Sequence, residues 1–323
     1  MEDYPRTLAE FEARFGSEDA CRDYLFALRW PQGFRCPHCS GQTAWAVSPV
    51  LYECASCSRQ TSLTAGTILH RTRTPLTVWF RAMWWLVMQK NGASALGLQR
   101  VLGLGSYETA WTWLHKLRRA MVRPGRDRLA GRVEVDETLI GAGEEGAMGR
   151  QTLGKALVAI AAEEDGEGIG RIRMRRVADA SSSSLHGFIQ EAVEPGAVIH
   201  TDDWNGYKGI AGKGYVHQIT KVGSDRRTAS RMFPRVHRVA ALTKRWLLGT
   251  HQGAVSLEHL DYYLDEFTFR FNRRRSKSRG KLFYRLVQQA VATGPCPYRD
   301  MVRGIRGLGR KPRRHPPQDV GGT

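Results

Sequence analysis

The sequence predicts a mixed α/β protein in which a sheet is preceded by a small cysteine-bearing ribbon and a helical segment. Three observations lead to this prediction: two close pairs of cysteines near the N-terminus, apolar residues at helical spacing after them, and short alternating runs from Gly131 onward. That last region indicates three strands, a helix, a strand and more helix, which is the order of a mixed sheet covered on its faces. The predicted parts are a helical segment (1–30), the ribbon (31–70), a helix-turn-helix-like segment (71–125), the sheet domain (130–290) and a basic tail (300–323).

Composition limits the class of protein and its partners. The chain has 323 residues, of which 41% are hydrophobic, and this is enough to bury a full core. Its 49 Lys and Arg against 31 Asp and Glu give a formal charge of +18, which favours a polyanionic partner. We find no apolar run of about 18 residues and no signal peptide in the charged N-terminus, so neither a membrane span nor secretion is predicted. Because the basic residues do not line one face of an amphipathic helix, nucleic acid is a better expectation than an anionic membrane.

The four cysteines of the ribbon have the spacing of a zinc site. Cys36 and Cys39 in "RCPHCS" and Cys54 and Cys57 in "ECASCS" form two pairs separated by 14 residues. Four thiolates at about 2.3 Å complete a tetrahedral Zn²⁺ shell and leave no position for a substrate, so the metal is predicted to be structural. The alternating, turn-rich stretch between the pairs predicts a β-hairpin. The alternative, two disulfides in a secreted protein, is disfavoured because the chain has no secretion signal.

Residues 75–121 are predicted to be helical and to contain a DNA-binding helix pair. A helix begins at Pro75, a second helix ends at the glycine-rich turn "GLGS", and Ser106 is placed to cap the N-terminus of a third. Two helices joined by a short glycine turn match the helix-turn-helix pattern, whose second helix enters the major groove. In that interpretation Lys116, Arg118 and Arg119 lie toward DNA phosphates. The alternative is an ordinary helical hairpin whose tryptophans and leucines belong to the core.

Two aspartates are predicted to meet at one edge of the sheet. Asp136 lies in the first strand, "RVEVDETLIG", and Asp202 ends the fourth, "GAVIHTDDW". Neighbouring carboxylates are costly to bury unless cations lie between them, and their hard oxygen atoms suit Mg²⁺ or Mn²⁺. A pair of such ions about 4 Å apart is a common arrangement for phosphodiester chemistry. The alternative is that the two acids lie separately in surface loops.

Several motifs, taken in order, resemble those of the zinc-ribbon-bearing DDE transposases of bacterial insertion sequences. They are "RCPHC", "ECASC", "TAGTILHRTRTPLTVWF", "VEVDETLIG", "VIHTDDWNGY", "VHRVAALTKRWLLGTH" and "SLEHLDYYLDEFTFRFNRRR". The resemblance implies a ribonuclease H-like catalytic domain in which Asp136 and Asp202 bind the catalytic metal. It also implies DNA as the substrate, a homo-oligomer that is at least dimeric, and a bacterial cytoplasmic protein associated with the nucleoid. Asp203 and Glu137 are expected to be neighbours of the metal ligands and not ligands themselves.

The third catalytic position departs from the simplest pattern of that family, which has an acid there. His237 stands 35 residues beyond Asp202, and Lys244 follows it by two helical turns on the same face. The family includes members with His or Asn at this place and a lysine after it, so the resemblance implies active-site roles for His237 and Lys244. The imidazole is expected either to ligate the metal or to orient the attacking water, with Lys244 on a phosphate. The alternative is a surface histidine between Arg235 and Arg238.

Two basic runs toward the C-terminus predict contacts with the phosphate backbone. The first, "RFNRRRSKSRGK", contains Arg273, Arg274 and Arg275, and the second, "RGIRGLGRKPRRH", leads into the tail. Such runs neutralise phosphates without reading bases, so the affinity for nucleic acid should fall with salt. From about Gly304 onward the composition predicts disorder. The alternative for both runs is a solvated segment that binds nothing.

The function predicted from these features is DNA strand cleavage and strand transfer at the terminal inverted repeats of an insertion sequence. The ribbon and residues 92–121 would recognise the repeats, with Zn²⁺ as the structural cofactor and Mg²⁺ or Mn²⁺ as the catalytic one. A first alternative is a catalytically inactive DNA-binding regulator, derived from a transposase, in which Asp136, Asp202 and His237 are remnants. A second alternative is a ribonuclease on the same fold.

Overall fold

The structure is a computed structural model that describes residues 2–123, 125–141, 155–221, 231–252 and 255–303. The tail that was predicted to be disordered lies outside these ranges. Among the helices in the described ranges, none is both long enough and apolar enough to cross a membrane.

Two short helices and a three-stranded ribbon open the chain. They are α1 (Leu8–Arg14), α2 (Glu18–Arg29), β1 (Ala44–Ser48), β2 (Leu51–Cys54) and β3 (Gln60–Ser62). Each helix begins after a hydroxyl side chain, Thr7 or Ser17, that accepts a hydrogen bond from a backbone N–H of the first turn. The ribbon strands are antiparallel in the order β1-β2-β3. The hairpin predicted between the two cysteine pairs is therefore confirmed.

Three helices follow the ribbon, as the sequence predicts. Helix α3 (Leu76–Met88) is the apolar helix, and α4 (Ala95–Leu102) ends at Gly103, whose φ of 63° is the left-handed conformation that favours glycine. The Ser106 hydroxyl then accepts a backbone N–H of α5 (Tyr107–Ala120) at 3.1 Å. The helix pair and its glycine turn are confirmed as structure, while their use in reading DNA stays a prediction.

A five-stranded sheet follows, and it has the ribonuclease H-like arrangement. Its strands are β4 (Arg132–Gly141), β5 (Lys155–Asp165), β6 (Gly168–Val177), β7 (Val198–Thr201) and β8 (Val216–Ile219). The spatial order is β6-β5-β4-β7-β8, with β4, β5 and β6 antiparallel and with β7 and β8 parallel to β4. The predicted fold class is therefore confirmed.

The two faces of the sheet are covered by different helices because side chains alternate along each strand. Val135 and the other odd-numbered positions of β4 pack toward α6 (Ser182–Ala192). On the other face, α7 (Pro234–His251) packs against β4 and β5 through a cluster that includes Val236. The even-numbered residues of β4, among them Asp136, therefore face α7.

The last three helices of the described chain return to its N-terminal half. They are α8 (Leu260–Asn272), α9 (Arg279–Ala292) and α10 (Tyr298–Arg303). Helix α8 lies on β6 and also contacts α5, while α9 packs against α2, α3 and α5. Phe269 of α8 and Phe283 of α9 consequently belong to the same buried cluster as Trp79 of α3. The N-terminal helices thus share one core with the end of the described chain.

A buried set of three charged residues, which we call the Glu266 junction, joins α5 to α8. Its members are Glu266, Arg118 and Arg270. Glu266 is completely buried, and its carboxylate accepts Arg118 Nε at 2.7 Å and Arg270 Nε at 2.8 Å. Burial raises the pKa of Glu266, but the charges of Arg270 and Arg118 outweigh burial and lower that pKa to about 2. The carboxylate is therefore ionised and fully neutralised by its two partners.

Candidate active site and metal sites

The four cysteines of the two pairs come together at one end of the ribbon. Their sulfur atoms all lie within 4.8 Å of one another, with 3.7 Å between the Sγ atoms of Cys36 and Cys57 and 3.5 Å between those of Cys39 and Cys54. Zn–S bonds of about 2.3 Å in a tetrahedron place the sulfurs roughly 3.8 Å apart, so this donor set fits Zn²⁺. All six cysteines of the chain are described, and each is free of a disulfide. Structural zinc is therefore supported and the disulfide alternative is not.

The two cysteine knuckles have matching backbones. The N–H of Ser40 donates to the carbonyl of Cys36, and the N–H of Ser58 donates to the carbonyl of Cys54. Both serines adopt left-handed φ angles, 63° and 56° respectively. Gly41 closes the first knuckle at a place where a Cβ would lie only 3.2 Å from Cys54 Sγ. The residues that follow each cysteine pair thus shape the backbone around the four sulfur atoms.

Asp136 lies within β4, and Asp202 directly follows β7, the parallel neighbour of β4. Glu134 of β4 is paired with His200 of β7, and each aspartate stands two residues further along its strand direction. Adjacent strands lie about 4.8 Å apart, and this spacing supports the prediction that the two aspartates lie near the same end of these strands. The Asp136 side chain is 30% exposed, which leaves it open to solvent ions, and Asp203 is exposed.

The loop after β7 is anchored beneath the acids by Tyr207 and Trp204, two residues that the sequence analysis did not single out. The Tyr207 hydroxyl donates to Glu137 Oε2 at 2.7 Å, and the Trp204 N–H donates to Asp202 Oδ1 at 3.1 Å. Burial raises the pKa of Tyr207 well above its ordinary value, and the negative charges of Glu137, Asp136 and Asp202 raise it further. The buried phenol is therefore hydrogen-bonded to Glu137 and is also influenced by the charges of Asp136 and Asp202.

His237 and Lys244 are residues of α7, the helix that faces Asp136 of β4. His237 Nε2 is 3.3 Å from Asp136 Oδ2, and the hydrogen bond with Asp136 raises the pKa of His237 in spite of partial burial. Lys244 is two turns further along the same face, where partial desolvation and Lys155 lower its pKa while Asp136 raises it. The structure thus brings His237 and Asp136 together, and the exposed Lys244 lies further along the same helix.

Glu134, another residue not singled out from the sequence, attaches the N-terminus of α7 to β4. Its carboxylate is 1% exposed and accepts the backbone N–H groups of Arg235 at 2.8 Å and Val236 at 3.0 Å. The Arg235 side chain adds a third contact, Nη1 to Glu134 Oε1, at 2.8 Å. His237 is the next residue of the helix, so this attachment decides where its imidazole stands relative to Asp136.

A second set of potential metal ligands, Glu134, Glu164 and His200, forms an ion-pair network instead. The donor atoms of these three lie within 4.8 Å of one another. However, Arg235 contacts both carboxylates, and Arg132 Nε lies 2.8 Å from Glu164 Oε1. Burial lowers the pKa of His200, and the charge of Arg132 lowers it further. Because guanidinium groups already neutralise both acids, the donor set does not fit an additional cation.

The predicted phosphate contacts of α5 are revised by its packing. Arg118 is 2% exposed and belongs to the Glu266 junction, so the prediction that it faces DNA is wrong. Arg119 is half-buried and donates to a cysteine sulfur at 3.5 Å, and desolvation lowers the pKa of Lys116. The open part of α5 is its first turn, residues 107–109. The second half of this helix faces the core because α8 and α9 pack against it.

Arg273, Arg274 and Arg275 follow α8 at the edge of β6. Arg273 lies over the Phe269 ring at 4.1 Å from its centroid, and Arg274 lies over Phe271 at 4.0 Å. Arg274 and Arg275 are exposed, and Arg273 is partly buried. The three guanidiniums thus form part of a basic surface, and their contact with DNA stays a prediction.

A ribonuclease H-like sheet that carries register-matched aspartates, joined to a four-cysteine ribbon, defines a DDE-type, nuclease-like enzyme. Residues 128–272 match the family described as the ISXO2-like transposase domain, and residues 16–60 match the transposase zinc-ribbon domain. Both matched segments are therefore similar to insertion-sequence transposases that carry a zinc ribbon.

One curated relative and two solved structures illustrate the similarity. A protein of Halobacterium salinarum, described as an uncharacterized protein in transposable element ISH50, is 23% identical over 275 residues, which is 79% of this chain and 91% of the relative. The Mos1 strand transfer complex shows 12% identity and a TM-score of 0.27 over 66% of this chain and 75% of that one. A pre-cleavage Mos1 transpososome shows 11% identity and a TM-score of 0.26 over 67% and 78%. The two structural similarities are too low to match individual residues.

Proposed function

We propose that this transposase cuts DNA strands at the terminal inverted repeats of its insertion sequence and joins the freed ends to target DNA. The observation that supports the proposal is that Asp136 and Asp202 each stand two residues beyond the paired residues Glu134 and His200, with His237 Nε2 3.3 Å from Asp136 Oδ2. Two acids and an imidazole at an open sheet edge are suited to phosphodiester chemistry that uses divalent cations.

Asp136 and Asp202 would hold the catalytic Mg²⁺ or Mn²⁺. Carboxylate oxygens are the ligands that both ions prefer, and the 30% exposure of Asp136 leaves room for retained waters and a phosphate oxygen. Such ions, when bound, neutralise charge at the reacting phosphate and make the attacking oxygen more nucleophilic. Imidazole suits Mg²⁺ less well than a carboxylate does, so we assign His237 to the attacking oxygen and not to a third ligand position.

The reaction has two in-line displacements at phosphorus. In the first, a water oxygen bonds to phosphorus and the bond from phosphorus to the 3′ oxygen breaks, which leaves a 3′-hydroxyl and a 5′-phosphate. In the second, that 3′-hydroxyl oxygen bonds to a target phosphorus, and the target's own 3′ oxygen leaves. Each nucleophile loses one proton and each leaving oxygen gains one. In this assignment His237 Nε2 orients the nucleophile beside Asp136, and the Lys244 ammonium binds a non-bridging phosphate oxygen.

Recognition of the repeats would involve the zinc ribbon and the first turn of α5. A helix-turn-helix reads bases with the N-terminal residues of its second helix, and residues 107–109 are the exposed part of α5. Lys116 and Arg119 remain available for backbone contacts at the border of this surface, as do Arg273, Arg274 and Arg275 further away. Because two element ends have to be joined in one event, we infer that the working form is a homo-oligomer.

A cleavage assay tests the proposal. Sequencing the DNA that flanks the gene identifies the inverted repeats, and a labelled duplex that contains one repeat then serves as substrate with Mg²⁺ or Mn²⁺. The wild-type protein should release a 3′-hydroxyl product, and Asp136→Asn should reduce the rate by about a thousandfold, because several kcal/mol of transition-state stabilisation are lost. Asp203→Asn is the matched control, because this exposed neighbour is assigned no ligand role, and it should retain activity.

The other functions have distinct outcomes in the same assay. A catalytically inactive regulator would bind the repeat duplex but would give no product with either protein. A ribonuclease would cleave an RNA–DNA hybrid and leave the duplex intact. Cleavage by Asp136→Asn at the wild-type rate would contradict the assignment of the site.

A further inference from the structure

A cavity lined by arginines lies at the outer edge of the sheet, away from the predicted metal ligands. It has a volume of about 370 Å³ and is bounded by the segment before β4, by β6 and by the ends of α8 and α9. Six arginines line it: Arg123, Arg126, Arg171, Arg173, Arg273 and Arg285. We call it the arginine cavity. Arg173 of β6 and Val135 of β4 lie at the same register position, with β5 between them. Two strand spacings, about 10 Å, therefore separate Arg173 from β4, so the cavity is separate from the Asp136 edge.

Three of these arginines have carboxylate partners at the rim. The pairs are Arg123 with Asp127 at 3.0 Å, Arg171 with Glu163 at 2.6 Å, and Arg285 with Glu2. Exposed or half-exposed pairs of this kind are weak and can rearrange when a stronger anion arrives. The charges at the rim are therefore partly neutralised by carboxylates, whereas the arginines deeper in the cavity have other hydrogen-bond partners.

Arg173, which is buried, and Arg273, which is partly buried, are the deeper cations of the cavity. Arg173 is 5% exposed, and its guanidinium donates to the main-chain carbonyls of Ile172 and Asp127. Arg273 donates to the Phe269 carbonyl and lies over the ring of the same residue. These hydrogen-bond partners are neutral, and the nearby carboxylates of Glu163 and Asp127 offset the charge of Arg173 only in part.

Burial and neighbouring positive charges lower the pKa of both side chains. Burial lowers the pKa of Arg173 to about 10, and the charges of Arg126 and Arg171 contribute to the decrease. Burial likewise lowers the pKa of Arg273 to about 10, with contributions from Arg285 and Arg123. Several like charges thus repel one another around one cavity, and an anion placed among them would relieve that repulsion.

We propose that the arginine cavity binds a phosphate group of the DNA backbone at a place remote from the cleaved bond. The proposal rests on the proposed function, since it takes DNA as the ligand of this chain. Guanidinium groups bind phosphate oxygens in pairs and are never deprotonated in proteins, so a cluster of them is suited to a phosphodiester. Such contacts fix the position of the duplex without reading its sequence.

The surroundings of the cavity favour a continuous strand over a free anion. A second cavity of about 460 Å³ shares Arg273 and Arg285 with it, and a third, of about 330 Å³, shares Arg171. Asn272 lines all three, so the cavities are neighbours at the edge of β6. The third cavity is also lined by the carboxylates of Glu163, Glu164 and Asp165, so the cationic surface suited to a nucleic acid strand consists of the first two.

The salt dependence of DNA binding tests the proposal. We would measure the affinity of a random-sequence duplex for the full chain at several salt concentrations, without divalent cations so that no cleavage occurs. Arg173→Gln should weaken binding about tenfold at low salt and reduce the slope of log affinity against log salt by about one. Arg126→Gln, at the half-buried wall of the cavity, should act in the same direction and serves if Arg173→Gln does not fold.

Arg175→Gln is the matched control. Arg175 lies two residues further along β6 and pairs with the exposed Glu191, but it does not line the cavity. Its substitution should leave the salt slope at the wild-type value. Inorganic pyrophosphate serves as the free-anion probe and should compete with DNA only weakly.

The outcomes separate this inference from the proposed function. Wild-type affinity and slope in both cavity variants would overturn the inference while DNA cleavage could still occur. Tight pyrophosphate binding that Arg173→Gln removes, with an unchanged DNA slope, would also overturn it, because the ligand would then be a free anion. If the wild-type chain does not bind DNA at all, both proposals fail.

Discussion

Two acidic centres of the molecule, the Glu266 junction and the Asp136 edge, use carboxylates in opposite ways. Glu266 is completely buried between Arg118 and Arg270, which neutralise it at 2.7 and 2.8 Å. Asp136 is 30% exposed, and a histidine 3.3 Å away is its ion-pair partner. The first carboxylate is enclosed in the protein, whereas the second remains accessible from solvent.

The difference distinguishes carboxylates that hold the fold from carboxylates that can bind a ligand. A buried acid needs partners of opposite charge in the folded state itself, because an unpaired buried charge costs several kcal/mol. An acid that is to receive a metal ion must remain accessible and only partly neutralised. Glu134 belongs to the first type although it stands two residues before Asp136, since Arg235 and the N-terminus of α7 neutralise it.

The largest effect on stability is expected from Glu266→Gln. The substitution leaves the guanidiniums of Arg118 and Arg270 without their carboxylate in a buried place, so the free energy of unfolding should fall by about 3–5 kcal/mol. Urea denaturation followed by circular dichroism measures the change. Glu258→Gln, in the exposed turn before α8, is the matched control and should shift the free energy by less than about 0.5 kcal/mol.

Asp136→Asn tests the effect on stability of removing the accessible carboxylate. It should change the free energy of unfolding by less than about 1 kcal/mol, because this carboxylate is partly exposed and holds no buried ion pair. If Asp136→Asn were to destabilise the chain as much as Glu266→Gln does, the proposed division between structural and ligand-binding acids would be wrong.

The sequence predicted the local features well because each depends on residues that are close together in the chain. The spacing of the cysteine pairs, the alternation along β4 and the Ser106 cap each act over a few positions, and each prediction matched the described structure. The fold class followed from the resemblance together with the order of the elements. That Asp136 and Asp202 meet at one edge stays a prediction, which the pairing of Glu134 with His200 supports.

Contacts between distant parts of the chain could not be predicted in this way. Arg118 looked like a surface residue because basic residues surround it in "HKLRRAM", yet its partner Glu266 lies 148 positions away. Glu134 looked like one more alternating residue of a strand, and its role appears only when α7 returns 101 positions later. In both cases a charged residue is buried because a distant partner compensates it, and spacing within one segment carries no signal of that partner.

A smaller effect on stability, with a separate effect on catalysis, is expected from Glu134→Gln. The amide keeps one acceptor oxygen but loses the charge that holds Arg235, so the free energy of unfolding should fall by about 2–3 kcal/mol. Because α7 is then less firmly attached beside Asp136, cleavage per folded molecule should also slow, by about tenfold. Urea denaturation and the repeat-duplex cleavage assay, with binding measured in parallel, separate the two effects.

Glu164→Gln is the matched control for this positioning role. Glu164 belongs to the same ion-pair network but accepts no backbone N–H of α7 among the bonds that the described residues form. It should therefore lower stability slightly and leave the cleavage rate per folded molecule unchanged. Equal losses of cleavage in both variants would show that the network as a whole matters, and not the attachment of α7.

The smallest effect concerns His115, a histidine that the fold keeps neutral. His115 is completely buried, and neither of its ring nitrogens has a hydrogen-bond partner within the described structure. Burial lowers the pKa of His115 far below its ordinary value, and Arg118, His259 and His251 lower it further. The unfolded chain takes up a proton at this residue near pH 6.5 and the folded chain does not, so stability is retained above that pH and lost as the pH falls. The loss between pH 7 and pH 5 should be about 2 kcal/mol for this residue alone.

His115→Leu should reduce the pH dependence of urea denaturation by that amount, whereas His70→Leu, at a partly exposed position, should leave it as in the wild type. An unchanged pH dependence in His115→Leu would mean that other histidines with lowered pKa values account for the acid sensitivity, among them His251, whose pKa burial lowers to about 4, and His200.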